Sequence, residues 1–195
     1  MKFIASEEFN NAILDELRNM GLVNDNSLSG QLYTLNHKQA YLATQLAIIG
    51  NISETGILHD TDKLVLYGLI DKRQASKAHR LYARHHIQVS KTDRDLEDCI
   101  IDYECARYTK PDKPLNAYNT VMKYTPDKYN ILRPTLIRLG LNSEINHDID
   151  FDHWEHLKSA RMQYLIDSNI TEIKKLYSDV KNFGVEIGLK NFYAK

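Results

Sequence analysis

The residues best suited to chemistry in this sequence are histidines and aspartates in its first half. Five of the eight histidines fall between positions 37 and 86. His59 and Asp60 are adjacent in the segment 56–63, directly after an apolar turn. Neighbouring residues lie about 100° apart on an ideal helix, yet both side chains could reach one divalent cation at a helix end. Imidazole nitrogen with carboxylate oxygen is a ligand set that suits Mn, Fe, Ni or Zn.

Helical spacing selects among the other candidates. His79 and His86 are seven residues apart and fall about 20° from one another on an unbroken helix, whereas His85 points away from both and is expected to be peripheral. Asp98 and Asp102 are four apart and share a helix face. Asp102 is the stronger ligand candidate, because it lies among apolar residues where an unpaired carboxylate would be costly. A single helical histidine is usually a surface residue, so the metal hypothesis rests on the ordered set.

Another group of histidines lies near the C-terminus. His147, His153 and His156 could form a second metal cluster. His153 and His156 flank Trp154, however, and we expect them to pack or to cap a helix. This group is therefore set aside.

Helices must position the candidate residues, since apolar residues recur at helical spacing and no strand-like alternation is present. Capping residues predict several helix starts, namely Ser6, Ser53 or Thr55, Asp71 and Thr92. Residues 24–30 are expected to form a loop. We predict helices at about 6–20, 34–49, 53–69, 71–86, 92–108, 115–124 and 126–140, with one long helix or two over 151–183. The fold class is all-α, and His59 and Asp60 fall near the middle of the third helix.

Composition and charge narrow the class of protein. The 195 residues include 25 Lys and Arg against 26 Asp and Glu, so the chain lacks the basic field that drives non-specific nucleic-acid binding. No run approaches the length of a membrane span, and the N-terminus turns acidic before a signal-peptide core could form. Cys99 and Cys105 lie six apart in one predicted helix and are expected to stay reduced. We therefore expect a cytoplasmic protein with no membrane partner, for which nucleic acid is a disfavoured partner.

The ordered set resembles a known signature. The order His37, His59-Asp60, Asp102 is similar to that of the HD superfamily of metal-dependent phosphohydrolases. Residues 58–63, Leu-His-Asp-Thr-Asp-Lys, resemble the Leu-His-Asp-x-x-Lys element of several branches, including the HD-GYP phosphodiesterases. The histidines at 79–86, followed by Ile-Asp-Tyr at 101–103, look more like a little-characterised bacterial and phage HD-like family. The resemblance covers about residues 33–125.

The resemblance implies a fold and a ligand set. The fold would be an HD-domain-like helical bundle over residues 1–140, with 141–195 as a C-terminal helical extension packed on the same domain; a small C-terminal subdomain is the alternative. A first metal ion would be bound by His37, His59, Asp60 and Asp102. A second would be held by His79 with His86 or His85. The cofactor would be one or two ions of Mn, Fe, Ni or Zn. Asp62 replaces the usual HD-GYP glycine and no Gly-Tyr-Pro follows, so cyclic di-GMP hydrolysis is not supported.

The activity implied is hydrolysis of a nucleotide or related phosphoester by a metal-activated water. Catalytic roles fall to Asp60 as a bridge between two ions, to His79, and to Lys63, which could reach a phosphate oxygen. The candidate substrate-binding cations are Lys63, Arg80, Arg84, Arg107, Lys110 and Lys113.

Other functions stay open at this point. An HD-like di-iron oxygenase would use the same ligand types, and a non-catalytic protein could sequester a nucleotide on a degenerate HD fold. A single-strand nuclease is weaker, because the chain has no net positive charge to follow a backbone. The resemblance implies a bacterial or phage-infected host cytoplasm, and the sequence leaves a homo-oligomer open.

Overall fold

The computed structural model describes residues 3–110, 112, 114–146 and 148–194. Within these ranges the chain is helical and contains no strand, which confirms the all-α prediction. None of the described helices combines the length and apolar character needed to cross a bilayer. The helices are α1 (Glu7–Asn19), α2 (Leu28–Ile49), α3 (Glu54–Ile57), α4 (Thr61–Leu69), α5 (Lys72–Tyr82), α6 (Asp93–Thr109), α7 (Ala117–Tyr124), α8 (Tyr129–Arg138), α9 (Asp152–Phe183) and α10 (Val185–Tyr193), with a short 3-10 turn at Pro126–Lys128.

Capping side chains determine where several helices begin. Ser6, Ser53 and Asp71 each accept a hydrogen bond from a backbone N–H in the first turn of α1, α3 and α5. Thr92 and Asp95 form a reciprocal capping box at the start of α6. These bonds satisfy N–H groups that have no partner within the helix. The predicted starts at Ser6, Asp71 and Thr92 are confirmed, and of the two candidates for α3 the cap is Ser53.

Three predicted boundaries are wrong. α2 begins at Leu28, so the polar segment predicted as a loop over 24–30 is already helical in its last residues. Its turn is closed by Asn24 and Ser27, whose side chains bond the local backbone. The predicted third helix is divided at His59 and Asp60, and α5 ends at Tyr82 rather than near residue 86. The last two differences determine where the histidines and Asp60 of the candidate site lie.

One large apolar core joins the two ends of the chain. α2 packs along α6, while α9 packs against α1, α2 and α4. Leu17, Leu64 and Trp154, from α1, α4 and α9, are fully buried in this core. A smaller cluster that includes Ile100 and Leu136 holds α7 and α8 against α6.

The C-terminal segment folds back on the bundle. Residues 152–183 form one continuous helix, which settles the choice between one helix and two. Gly184 then adopts a φ of 86°, a conformation that favours glycine. The reversal lets α10 pack against both α9 and α5. Tyr193 near its end thereby reaches His79 on α5.

Candidate metal centre

His59 and Asp60 form the break between α3 and α4. Asp60 has a φ of 58° and is the one non-glycine residue of the described chain in the left-handed region. An L-residue there costs about 1–3 kcal/mol and persists only where its surroundings hold it. The prediction that this pair lies within a helix is therefore wrong, because the backbone reverses at Asp60.

The side chain of Lys38 stabilises this turn. This side chain is fully buried, and its Nζ donates to the backbone carbonyl of His59 at 2.7 Å and to Thr61 Oγ1 at 2.8 Å. Burial lowers the pKa of Lys38 to about 7, although the carboxylates of Asp60 and Asp62 oppose the change. Sequence reasoning missed Lys38. The available signal was its register on the buried face of α2, three residues after Leu35 and four before Leu42.

A first group of ligand atoms surrounds Asp102 of α6. His37 Nε2 lies 2.8 Å from Asp102 Oδ1, and His59 Nε2 lies 3.4 Å from the same oxygen. The other ring nitrogen of His37 lies 2.9 Å from the Thr109 hydroxyl, which orients the ring. His37, His59 and Asp102 together could hold a metal ion.

A second group consists of His79, His85 and His86. Their nitrogens lie close enough together to bind one ion. His79 Nε2 lies 3.2 Å and His85 Nε2 lies 3.6 Å from Asp60 Oδ1.

The expectation that His85 is peripheral is wrong. α5 ends at Tyr82, and the chain then turns, with the Ser90 hydroxyl donating to the carbonyls of Arg84 and His86. Helical angles therefore do not apply beyond Tyr82. His85 is buried and also completes a third possible group, with His59 and Asp60.

Asp60 links the two groups. Its Oδ1 lies near His79 and His85, while its Oδ2 lies 3.9 Å from His59 Nε2 and 2.8 Å from Lys63 Nζ. The structure thus brings all seven predicted ligands into one cluster.

Several polar atoms in this cluster are buried without a hydrogen-bond partner. They are Nε2 of His59, His79, His85 and His86, and Oδ1 of Asp60. A buried polar atom left unpaired costs about 1–3 kcal/mol, so such a concentration calls for an explanation. Nitrogen and carboxylate oxygen lone pairs converging in one place fit a transition-metal ion.

Outer partners orient the second group. His79 Nδ1 lies 2.9 Å from a carboxylate oxygen of Asp62, which is itself fully buried, and 3.5 Å from the Tyr193 hydroxyl of α10. A carboxylate on one ring nitrogen leaves the other nitrogen facing inward, as is typical of metal-binding histidines. Sequence reasoning did not assign Asp62 a contact with His79, and it missed Tyr193.

The electrostatics of the cluster favour charged carboxylates at Asp60 and Asp102 and neutral rings at His59, His85 and His86. Burial alone would raise the pKa of Asp60, but Lys63 and the surrounding histidines hold it well below its usual range. For Asp102, the hydrogen bond from His37 and the close approach of His37 and His59 outweigh burial, so its pKa also lies well below its usual range. Burial lowers the pKa of His85 well below its usual range and that of His86 to about 4. These protonation states leave the carboxylates and ring nitrogens free to act as ligands.

A cleft opens onto the cluster. His59, Asp60 and His85 contribute to its lining, and its other walls are formed by Tyr41, Thr55, Leu58, Arg84, Asp95, Asp98, Phe192 and Tyr193. Asp98 is not a member of the ligand groups. Instead it accepts hydrogen bonds from the Tyr41 and Thr55 hydroxyls at 2.8 and 2.9 Å, and burial raises its pKa.

Of the predicted substrate-binding cations, one lines this cleft and another lies beside Asp60. Arg84 lines the wall, with its Nε 3.6 Å from Asp95 Oδ2. Lys63 is bonded to Asp60, and its side chain is about 20% exposed.

The other predicted cations are placed differently. Arg80 is exposed and donates to the Ser76 carbonyl, while the Arg107 Nε lies 2.7 Å from Glu104. Lys110 directly follows the end of α6, and none of these three side chains lines the cleft. Their predicted contact with substrate is not supported by these positions, and Lys113 lies outside the described residues. Of the C-terminal histidines, His153 and His156 are exposed and His147 also lies outside the described residues.

Comparison with known proteins finds no family model, no curated sequence and no solved structure that matches this chain. The described residues present an all-helical fold. Its buried histidine and aspartate groups could hold one or more metal ions.

Proposed function

We propose that this chain is a metal-dependent phosphohydrolase of the HD type, acting on a nucleotide or related phosphoester through a metal-activated water. The observation that carries the proposal is the convergence of unpaired, buried imidazole nitrogens on the Asp60 carboxylate. The order of these residues along the chain resembles the HD signature, and this resemblance is the reason for proposing phosphoester hydrolysis as the reaction.

The residues divide into two ligand sets. The first is His37, His59, Asp60 and Asp102, and the second is His79, His85 and His86 with Asp60. Asp60 belongs to both, since one carboxylate oxygen faces each set. A bound divalent cation lowers the pKa of a water molecule and supplies hydroxide near neutral pH.

The residues around the two ligand sets have separate roles. Lys63 keeps Asp60 ionised and in place through its 2.8 Å ion pair. Arg84 is the cation on the cleft wall, where a guanidinium can bind two oxygens of a phosphate. Asp62 and Tyr193 hold His79 in the orientation that directs its Nε2 toward Asp60.

Metal content by mass spectrometry tests the proposal. We expect one or two equivalents of Mn, Fe, Ni or Zn in tag-free wild-type protein and loss of metal in Asp60→Ala. Asp127→Ala is the matched control, because Asp127 is exposed and pairs only with its neighbour Lys128 among the recorded ion pairs of the described chain. This control should retain the wild-type metal content.

Activity assays then separate the reaction classes. Phosphoester hydrolysis that proceeds without oxygen supports the proposal, whereas oxygen-dependent turnover would favour a di-iron oxygenase. Tight retention of a nucleotide without turnover would favour a sequestering protein. A wild-type protein that takes up no metal, even after Mn²⁺ is added back, would show that the cluster is structural.

A further inference from the structure

The cleft above the ligand cluster is small. Its volume is about 80 Å³, and an ordered water needs about 10–15 Å³ of such space, so it holds only about five to eight water-sized groups. A phosphoryl group with its oxygens fills a space of this order. A nucleoside does not fit, so the remainder of any such ligand must stay outside.

Packed aromatic rings hold the walls of the cleft in place. Phe192 and Tyr193 close one side, and their rings pack edge to face at 4.9 Å. Phe192 is also part of the apolar core, while Tyr193 is half-buried with its hydroxyl 3.5 Å from His79 Nδ1. On another wall, the Tyr41 ring stacks on His59 at 3.9 Å. The cleft cannot widen at these rings unless packed aromatic side chains or α10 move.

The charged residues of the walls also restrict which ligand can bind in the cleft. Arg84 is the arginine among the residues that line the cleft. Its Nε lies 3.6 Å from Asp95 Oδ2, and Asp98 also contributes to the lining. One anionic group can pair with Arg84 and with a metal ion held by the ligand cluster, whereas a second would face the carboxylates of Asp95 and Asp98. The lining therefore suits a ligand that presents a single phosphoryl group at its end.

We propose that the cleft admits the terminal phosphoryl group of a phosphomonoester and excludes phosphodiesters, and that Phe192 sets this size limit. The inference rests on the proposed hydrolase function and deepens it. A diester carries a substituent on two of its oxygens. A cleft of about 80 Å³ has no room for a second substituent beside the phosphoryl group, and Phe192 with Tyr193 forms the aromatic wall that limits this space.

The reaction for such a substrate balances without a further reactant. The oxygen of water forms a new bond to phosphorus, and the ester P–O bond breaks with its electron pair leaving on the alcohol oxygen. That oxygen takes up one proton of the water, and the other proton remains on the phosphate product.

Binding of two phosphonates that cannot be hydrolysed tests the size limit. Phenylphosphonate carries one substituent on phosphorus, and its methyl ester carries a second. By titration calorimetry on Mn²⁺-loaded wild-type protein, we expect phenylphosphonate to bind at least about tenfold more tightly, as is typical when a pocket rejects an added group. The two probes also differ in charge, so the variant comparison is needed to isolate the effect of space.

Phe192→Ala should remove most of this preference by restoring binding of the methyl ester. Phe183→Ala is the matched control, because Phe183 is 57% exposed at the end of α9 and should leave the preference unchanged. If Phe192→Ala does not fold, Phe192→Leu removes part of the ring at a smaller cost in packing.

The outcomes distinguish this inference from the proposed function. A metal-loaded wild-type protein that binds both probes equally, or a preference that survives in the Phe192 variants, overturns the size limit alone. Protein that binds neither metal nor phosphonate overturns both proposals. A preference lost in Phe192→Ala and kept in Phe183→Ala supports the inference.

Discussion

The metal-free protein should lose stability in mild acid because of His86. Burial, with a contribution from nearby His79, lowers the pKa of His86 to about 4, against about 6.5 in an unfolded chain. Between these values the unfolded state binds a proton that the folded state does not. The free energy of unfolding is therefore unaffected above about pH 6.5 and falls as the pH drops toward about 4.

The size of this effect follows from the two pKa values. A difference of about 2.5 pH units, at about 1.4 kcal/mol per unit, amounts to about 3 kcal/mol when the pH lies below both values. At about pH 5 the loss is already about 2 kcal/mol. Burial also lowers the pKa of His59 and of His85, so these residues add to the loss in the same direction.

Urea unfolding of metal-free protein at about pH 8 and about pH 5 measures the effect. His86→Gln removes the titrating ring, so its stability should fall by about 2 kcal/mol less than that of the wild type over this interval. His153→Gln is the matched control, since His153 is exposed on α9, and it should follow the wild type. If His86→Gln and the wild type lose stability in parallel, His86 is not held as a buried neutral imidazole and the reasoning fails.

Other contacts lead to further predictions. Asp62→Asn keeps the shape of the side chain but removes the charge that orients His79; we expect about 10–100-fold weaker binding of a metal ion in chelator competition, and unchanged affinity would refute the orienting role. Lys38→Met removes two hydrogen bonds beneath the left-handed turn and should lower the free energy of unfolding by about 1–3 kcal/mol in urea. Gly68→Ala would drive a Cβ into the backbone of Leu22 and should cost about 1–3 kcal/mol, observed as a lower Tm.

Local sequence is enough to predict the helical class and most helix starts. Ser6, Asp71 and Thr92 cap their helices through bonds to residues two or three positions away. Such contacts depend on the immediate neighbours alone, so they can be inferred without knowledge of the fold. The same is true of α6, whose predicted span of about 92–108 is close to the observed helix.

Local sequence fails where a distant residue stabilises an unfavourable backbone. The left-handed conformation of Asp60 is costly by itself, and it is held by Lys38, which donates to the carbonyl of His59, 21 residues along the chain. Helical periodicity therefore predicts, wrongly, that the helix continues through His59 and Asp60. Helical periodicity fails for His85 as well, because α5 ends at Tyr82. His85 therefore lies inside the cluster rather than beside it.

The sequence by itself determined an all-α chain and the identity of the histidines and aspartates that could bind a metal ion. Only the tertiary structure decided that Asp60 stands between two groups of residues that could hold a metal ion and that Asp62 and Tyr193 contact His79. Tyr193 and His79 are 114 residues apart, and they meet because α10 folds back onto α5 after the turn at Gly184. A contact of this kind depends on how amphipathic helices pack to bury a shared core, and no local pattern of residues encodes that arrangement.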